Sequence, residues 1–200
     1  FEMNLPDLSR KWILQQLLHP IICSLALPVY STGIGKLMIW ISQKLHLLSL
    51  PVFKEELTGS QPAEFPGKYP NALAGLLLVQ LNKLETMIKM RQKIAREYYQ
   101  KISAHTPFRR KESIFLRFNL LSNQRDSILF FAKKKGMLLG NWYHHVIDPV
   151  QTDLKALGYR EGSCPNAEKY ARMSLNLPTY PRLTHAQIIE ICDFVNYYEK

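Results

Sequence analysis

Two hundred residues, 46% hydrophobic and 21% charged, make an ordinary globular composition with apolar material for one substantial core, or for one domain plus an appendage. This excludes a chain disordered over most of its length. The three cysteines, Cys23, Cys164 and Cys192, are too few and too scattered for a disulfide framework or a zinc site, so a reducing, cytoplasmic setting is expected. The net charge of +10 invites an anionic partner, but the cations gather at 83–96, 109–111 and 133–135 with no nucleic-acid motif beside them, so nucleic acid is not an expected partner.

The chain begins at Phe1 with neither a basic leader nor a small-residue cleavage site behind an apolar stretch. No signal peptide is expected, and the sequence reads as a fragment or a processed chain. Residues 12–53 are strongly apolar, and from Ile13 to Gly35 there is no Asp, Glu, Lys or Arg, a run about as long as one that spans a bilayer. His19, Pro20, Pro28, Gly33 and Gly35 punctuate it, and Lys36 and Lys44 follow, which predicts two or three short apolar helices rather than one span. Such helices suit packing on protein outside this chain, or a membrane interface where Trp40 and basic residues are at home.

Residues 54–70 hold Gly59, Ser60, Pro62, Pro66, Gly67 and Pro70, the marks of a linker. The expected organisation is therefore an apolar helical segment and linker over 1–64 and a domain over 65–200. Asn71 is placed to cap a long helix reaching about Ile102, with Leu73, Leu77, Leu81, Leu84, Ile88 and Ile94 in a helical stripe. The alternation in "IFLRFNLL", 114–121, predicts a strand. Residues 125–135 then form a short amphipathic helix stopped by Gly136, a second strand follows over 137–143, and a loop runs from Asp148-Pro149 to Gly162.

Punctuation is densest at the C-terminus, "GSCPNAEKYARMSLNLPTYPRLT", 162–184. Pro165 suits the first helical position, with Ser163 or Cys164 as the cap. "SLNL" forms a strand that Pro178 and Pro181 stop. Thr184 and Gln187 are spaced as a capping box for a last helix whose buried side is Ile188, Ile191, Cys192 and Val195. The alternation of helix and strand from residue 71 onward predicts an α/β class, in the form of an α+β small domain. It would consist of a small, mainly antiparallel sheet covered by helices and preceded by the apolar helical segment.

No P-loop, dinucleotide glycine fingerprint, G-x-S-x-G elbow or C-x-x-C pair occurs. The richest polar patch is "GNWYHHVIDP", 140–149. In an extended segment Asn141, Tyr143 and His145 would share one side, and Trp142 and His144 the other. His145 and Asp148 lack a third ligand, so no metal is expected. The patch reads either as an aromatic and imidazole wall for a polar ligand or as a pair of exposed loop histidines.

The succession "YPNALAGLLLVQLNKLETMIKMRQKIAREYYQKI", "LGNWYHHVIDPV" and "LGYREGSCPNAEKYARMSLNLPTYPRLT" resembles the C-terminal portion of the pyridoxal-phosphate-dependent sugar aminotransferases of the DegT/StrS type, over 65–198. The resemblance implies the small domain of a fold type I transferase, with an active site shared across a homodimer. It also implies transfer of an amino group from an amino acid, glutamate as expected donor, to the keto group of a nucleotide-linked sugar in polysaccharide or glycoconjugate biosynthesis. The Schiff-base lysine of such enzymes lies in the large domain, and none of the lysines here sits in a matching motif. The chain alone is therefore expected to be inactive.

By the same resemblance, Lys68 in Pro66-Gly67-Lys68-Tyr69 stands where the family's Asn-Tyr-Arg-Met segment sends an arginine to the cofactor phosphate of the neighbouring subunit. Trp142, Tyr143 and His144 stand where the family lines the sugar nucleotide. Asp148 departs from the Ile-His-Pro of a subset of the family, which leaves open a changed substrate, or a catalytically inactive relative acting as a binding or regulatory subunit. The segment 12–53 resembles an insertion of divergent members, with a membrane surface as one possible contact.

Overall fold

The computed structural model describes residues 4–30, 32–50, 52–62, 65–103, 113–143 and 145–199. The chain divides into two compact units, 1–82 and 83–200, and one helix of 31 residues, α3 (Asn71–Lys101), passes from the first into the second.

In the first unit, Ser9 caps α1 (Arg10–Ala26) by accepting the Trp12 N–H at 3.2 Å. The helix runs through His19 and Pro20 without breaking, since a proline there costs one backbone hydrogen bond in a helix long enough to bridge it. A single 3-10 turn, Leu27–Val29, leads to α2 (Ile34–Lys44), entered through Gly33 at φ +90°. The apolar stretch is divided into two helices as expected, but the division falls at residues 27–33 and not at His19 and Pro20.

The two helices form an antiparallel hairpin tied at both ends. At its open end the Gln15 amide donates to the His46 carbonyl at 2.8 Å and the Gln16 amide to Ser49 Oγ at 2.7 Å. At the turn, Gly35 lies so close that a Cβ would stand 2.1 Å from the Ala26 carbonyl oxygen. Only glycine permits that approach.

The second unit carries the core. Strands β1 (Phe118–Leu121) and β2 (Ser174–Leu177) pair antiparallel, Phe118 opposite Leu177 and Leu121 opposite Ser174. Around them pack the C-terminal part of α3, α4 (Arg125–Lys134), α5 (Pro165–Met173) and α6 (His185–Tyr198). Ile94, Ala95 and Tyr98 of α3, Phe118 and Leu120 of β1, Ile128 of α4, Leu175 and Leu177 of β2, and Ile188, Ile191, Cys192 and Val195 of α6 are buried together. The expected capping box is present: the Thr184 hydroxyl accepts from the Gln187 N–H at 3.3 Å and the Gln187 side-chain Oε1 accepts from the Thr184 N–H at 3.0 Å. Gly136, at φ +75°, ends the α4 region as expected.

Three expectations need correction. The strand expected over 114–121 is paired only over Phe118–Leu121. Phe115 turns to φ +53°, and the carbonyls a strand would use accept from side chains instead: Thr179 Oγ1 donates to Phe115 O at 2.7 Å and reaches Leu116 O at 2.9 Å, and Arg91 donates to Leu116 O at 2.8 Å.

The strand expected over 137–143 is reduced to one bridge. Gly140 and Asn176 exchange N–H···O bonds of 2.8 and 2.7 Å, and a Cβ on Gly140 would stand 3.2 Å from the Asn176 Cβ. Among the described residues the sheet is therefore two-stranded.

The stripe on α3 is only partly a buried one, because Leu77, Leu81 and Leu84 are exposed while Leu73 and Ile94 are buried. As expected, Cys164 occupies the cap position of α5, though with no side-chain hydrogen bond. Glu168, one turn in, holds the entry loop instead by accepting from the Tyr159 hydroxyl and the Gly162 N–H, both at 2.6 Å.

Candidate functional site

The bend at Phe115 positions the site. By leaving the strand path there, the chain opens a cleft of about 350 Å³ in the second unit, between Tyr99 of α3, the segment 113–119, and Trp142 with Tyr143. Its floor is aromatic and well packed: Tyr99 meets Phe118 edge-on at 4.7 Å and Phe115 at 5.9 Å between ring centres. Its wall is open to solvent. The Trp142 and Tyr143 rings stack at 5.7 Å and 22°, half or more of each is exposed, and the Arg117 guanidinium lies 4.5 Å from the centre of the Trp142 ring.

This stacking corrects the expectation that Trp142 and Tyr143 point to opposite sides. Alternation requires an extended strand, and 141–143 is not one. Arg117 was not singled out from the sequence. Its signal was a single cation inside an otherwise apolar run, which on a half-buried strand faces solvent and carries no message by itself.

A guanidinium beside two exposed aromatic faces suits a ligand with a flat ring or sugar face and an anionic group. The rings supply stacking and apolar area, while the cation supplies planar, charge-assisted donors to phosphate or carboxylate. Asn119 is engaged, its Oδ1 accepting from the Asn176 side-chain amide at 2.6 Å. Among the described lining residues there is no amine, carboxylate or imidazole. With these residues the cleft can bind and orient a ligand.

The other expected site residues lie elsewhere. Lys68 is in the first unit, with its backbone N–H donating to the Pro6 carbonyl at 2.9 Å and its side chain exposed. His144 lies outside the described residues. His145 Nδ1 stands 3.9 Å from Asp148 Oδ1, and among the described residues no group of three or more His, Cys, Asp and Glu could hold a metal ion.

Two buried groups with chemistry of their own are structural. Burial pushes the Cys192 thiol up to about 11, which keeps it from acting as a nucleophile near neutrality. Burial likewise raises the Tyr98 phenol, whose hydroxyl donates to the Pro178 carbonyl at 2.9 Å.

The family model for the DegT/DnrJ/EryC1/StrS aminotransferase family matches residues 45–196. A pleiotropic regulatory protein of Geobacillus stearothermophilus is 32% identical over 74 residues, 37% of this chain and 20% of that protein. An uncharacterised protein of Methanocaldococcus jannaschii is 26% identical over 137 residues, 61% of this chain and 34% of that protein. The chain thus spans about a third or less of the length of these relatives.

Solved structures share the fold. DesV of S. venezuelae, crystallised with a ketimine intermediate, superposes with a TM-score of 0.56 at 23% identity, covering 73% of this chain and 42% of that one. A DegT DnrJ EryC1 StrS aminotransferase from Brucella abortus gives 0.57 at 20% identity over the same shares. The aminotransferase TlmJ from Streptoalloteichus hindustanus gives 0.52 at 21%, covering 64% and 35%.

Proposed function

This chain belongs to the DegT/DnrJ/EryC1/StrS aminotransferase family, and on that premise we propose that it is the C-terminal part of a pyridoxal-phosphate-dependent aminotransferase. The complete enzyme would take an amino group from an amino acid, with glutamate as donor, and place it on the keto carbon of a nucleotide-linked sugar. In this reading it serves polysaccharide or glycoconjugate synthesis as a cytoplasmic homodimer. The observation that carries the substrate class is the cleft itself, where Arg117 lies over Trp142 and Tyr143 stacks beside it. That set grips a sugar nucleotide through its phosphates and a flat face, and it leaves proton transfer to residues elsewhere.

Pyridoxal phosphate, when bound, carries the amino group between the two halves of the reaction. The lysine that anchors it is proposed to lie outside these 200 residues. Lys68 is proposed to supply a cation to its phosphate in the neighbouring subunit, as a point charge where the family's arginine would give a planar fork. Trp142, Tyr143 and His144 are assigned to the sugar nucleotide.

The test uses the complete protein, purified with its cofactor and assayed with a panel of nucleotide keto-sugars and glutamate. The expected result is amine product from at least one sugar, none from the 200-residue chain alone, and a KM raised about tenfold or more by Arg117→Ala or Trp142→Ala with kcat little changed. That split marks binding shared by ground and transition states. Loss of bound cofactor in Lys68→Ala would support the role of that lysine. A complete protein that holds no cofactor and aminates nothing would overturn the reading. It would favour instead a catalytically inactive relative acting as a binding or regulatory subunit, a reading in keeping with the name of the Geobacillus relative.

A further inference from the structure

The hairpin of α1 and α2 ends at Lys44, just before the stretch matched by the family model begins at residue 45, and nothing proposed for the cleft employs it. Arg10–Val29 is long and apolar enough to cross a membrane by length and composition, and almost none of it is buried. A core helix of a soluble protein would bury most of that surface. On α1, Leu14, Ile21 and Leu25 recur at helical spacing and are all exposed.

The second helix has sharper sidedness. At about 100° per residue, Gly35 and Ser42 fall on one side, and these are the residues of α2 that are buried. Ile34, Leu37 and Ile41, with Leu45 at the C-cap, cluster about 105° round the helix from that side and are exposed. Lys36, Trp40 and Lys44 line one edge of that apolar face, with Lys36 5.4 Å from the Tyr30 ring centre and Lys44 5.7 Å from that of Trp40. Charge selects the occupant. From residue 8 to residue 53 the chain has Arg10, Lys11, Lys36 and Lys44 and no Asp or Glu.

We propose that the α1–α2 hairpin is a membrane-interface anchor that lies in the surface of a bilayer with anionic headgroups. The leucine and isoleucine face of α2 would dip among the acyl chains while Lys36 and Lys44 reach the headgroups, with Trp40 at the boundary between them. Lying flat follows from the geometry. The 11 residues of α2 extend about 16 Å, about half of a hydrocarbon core near 30 Å, so the hairpin cannot cross as a pair. Lys36 near the turn opposes insertion turn-first. The inference rests on the hairpin and is independent of the aminotransferase reading.

The test is flotation of the 200-residue chain with vesicles of phosphatidylcholine, alone or mixed with phosphatidylglycerol. The chain is expected to float with the mixed vesicles. Lys36→Gln with Lys44→Gln should lower that partitioning by about twenty-five-fold, since each cation near an anionic surface contributes roughly five-fold. Leu37→Glu with Ile41→Glu, both exposed positions whose variants are checked for unchanged circular dichroism, should abolish binding. In a chain carrying Trp12→Phe and Trp142→Phe, brominated acyl chains should quench Trp40. No flotation with either vesicle, or flotation indifferent to Leu37→Glu and Ile41→Glu, would overturn the proposal. So would a dimer that those substitutions dissolve in a chain that ignores vesicles, which would assign the face to a second copy.

Discussion

The two units are built from similarly apolar sequence and use it in opposite ways. In 83–200, apolar residues from helices and strands meet: Leu120, Leu175, Ile128 and Val195 are without solvent exposure because helices close over a two-stranded sheet. In 1–82 the equivalent material is left outside, with Leu25 61% and Trp40 55% exposed, since a two-helix hairpin has only one contact seam to bury it in. The contrast teaches that apolar content sets how much surface wants to leave water, whereas the number of layers sets how much can. Surface that stays outside is available to another partner.

Truncation of the core should sharpen this contrast most. Leu175→Ala empties a site on β2 with no solvent exposure and is expected to cost about 3 kcal/mol, read from the urea unfolding midpoint. Leu25→Ala, the same chemistry on exposed α1, should stay within about 0.5 kcal/mol. Equal costs at the two sites would break the comparison.

Next in size is Tyr98→Phe. It removes the buried hydroxyl that donates to the Pro178 carbonyl at 2.9 Å and leaves that carbonyl without this donor, for about 1.5 kcal/mol by the same measurement. Thr184→Ala opens the capping box of α6 and should cost about 1 kcal/mol, with thermal unfolding followed by circular dichroism as the check.

The smallest effect is one of pH. The Tyr159 hydroxyl and the Gly162 N–H hold the Glu168 carboxyl below its ordinary 4.5. A carboxyl lowered in the folded state adds stability that is present above the unfolded value and lost as pH falls through the folded one. Glu168→Gln should therefore lower stability slightly at neutral pH, where the held carboxylate contributes, and flatten the loss on the acid side below about pH 4.5. An acid limb as steep as the parent's would show that this loop anchor contributes nothing.

Much of the second unit was legible because its signals are local. The capping box of Thr184 and Gln187 needs only a spacing of three, Pro165 needs only its own fixed φ, and Gly136 needs only freedom at positive φ. The strand over 137–143 was misread because its alternation described a chain able to pair, while the structure gives it one bridge at Gly140 and then leads it away to the cleft. The same departure turned Trp142 and Tyr143 onto one wall and brought Arg117 over it. That encounter joins segments about 25 residues apart, which no local pattern encodes.

By itself the sequence determined where the helices from residue 71 onward begin and stop, which residues would form the last helix's buried side, that the N-terminal stretch is apolar and free of acids, and which family the chain resembles. The helix limits and the buried side are carried by neighbours within a turn or two, where sterics, capping and periodicity act directly, while the resemblance rests on the succession of three motifs. Only the tertiary structure decided that the strand stops at Phe118, that Arg117 meets Trp142, and that the stripe on α3 and the faces of the hairpin stay exposed. These outcomes depend on which distant groups win the competition for the same carbonyls and the same apolar surface, as Thr179 and Arg91 do for the carbonyls at Phe115 and Leu116.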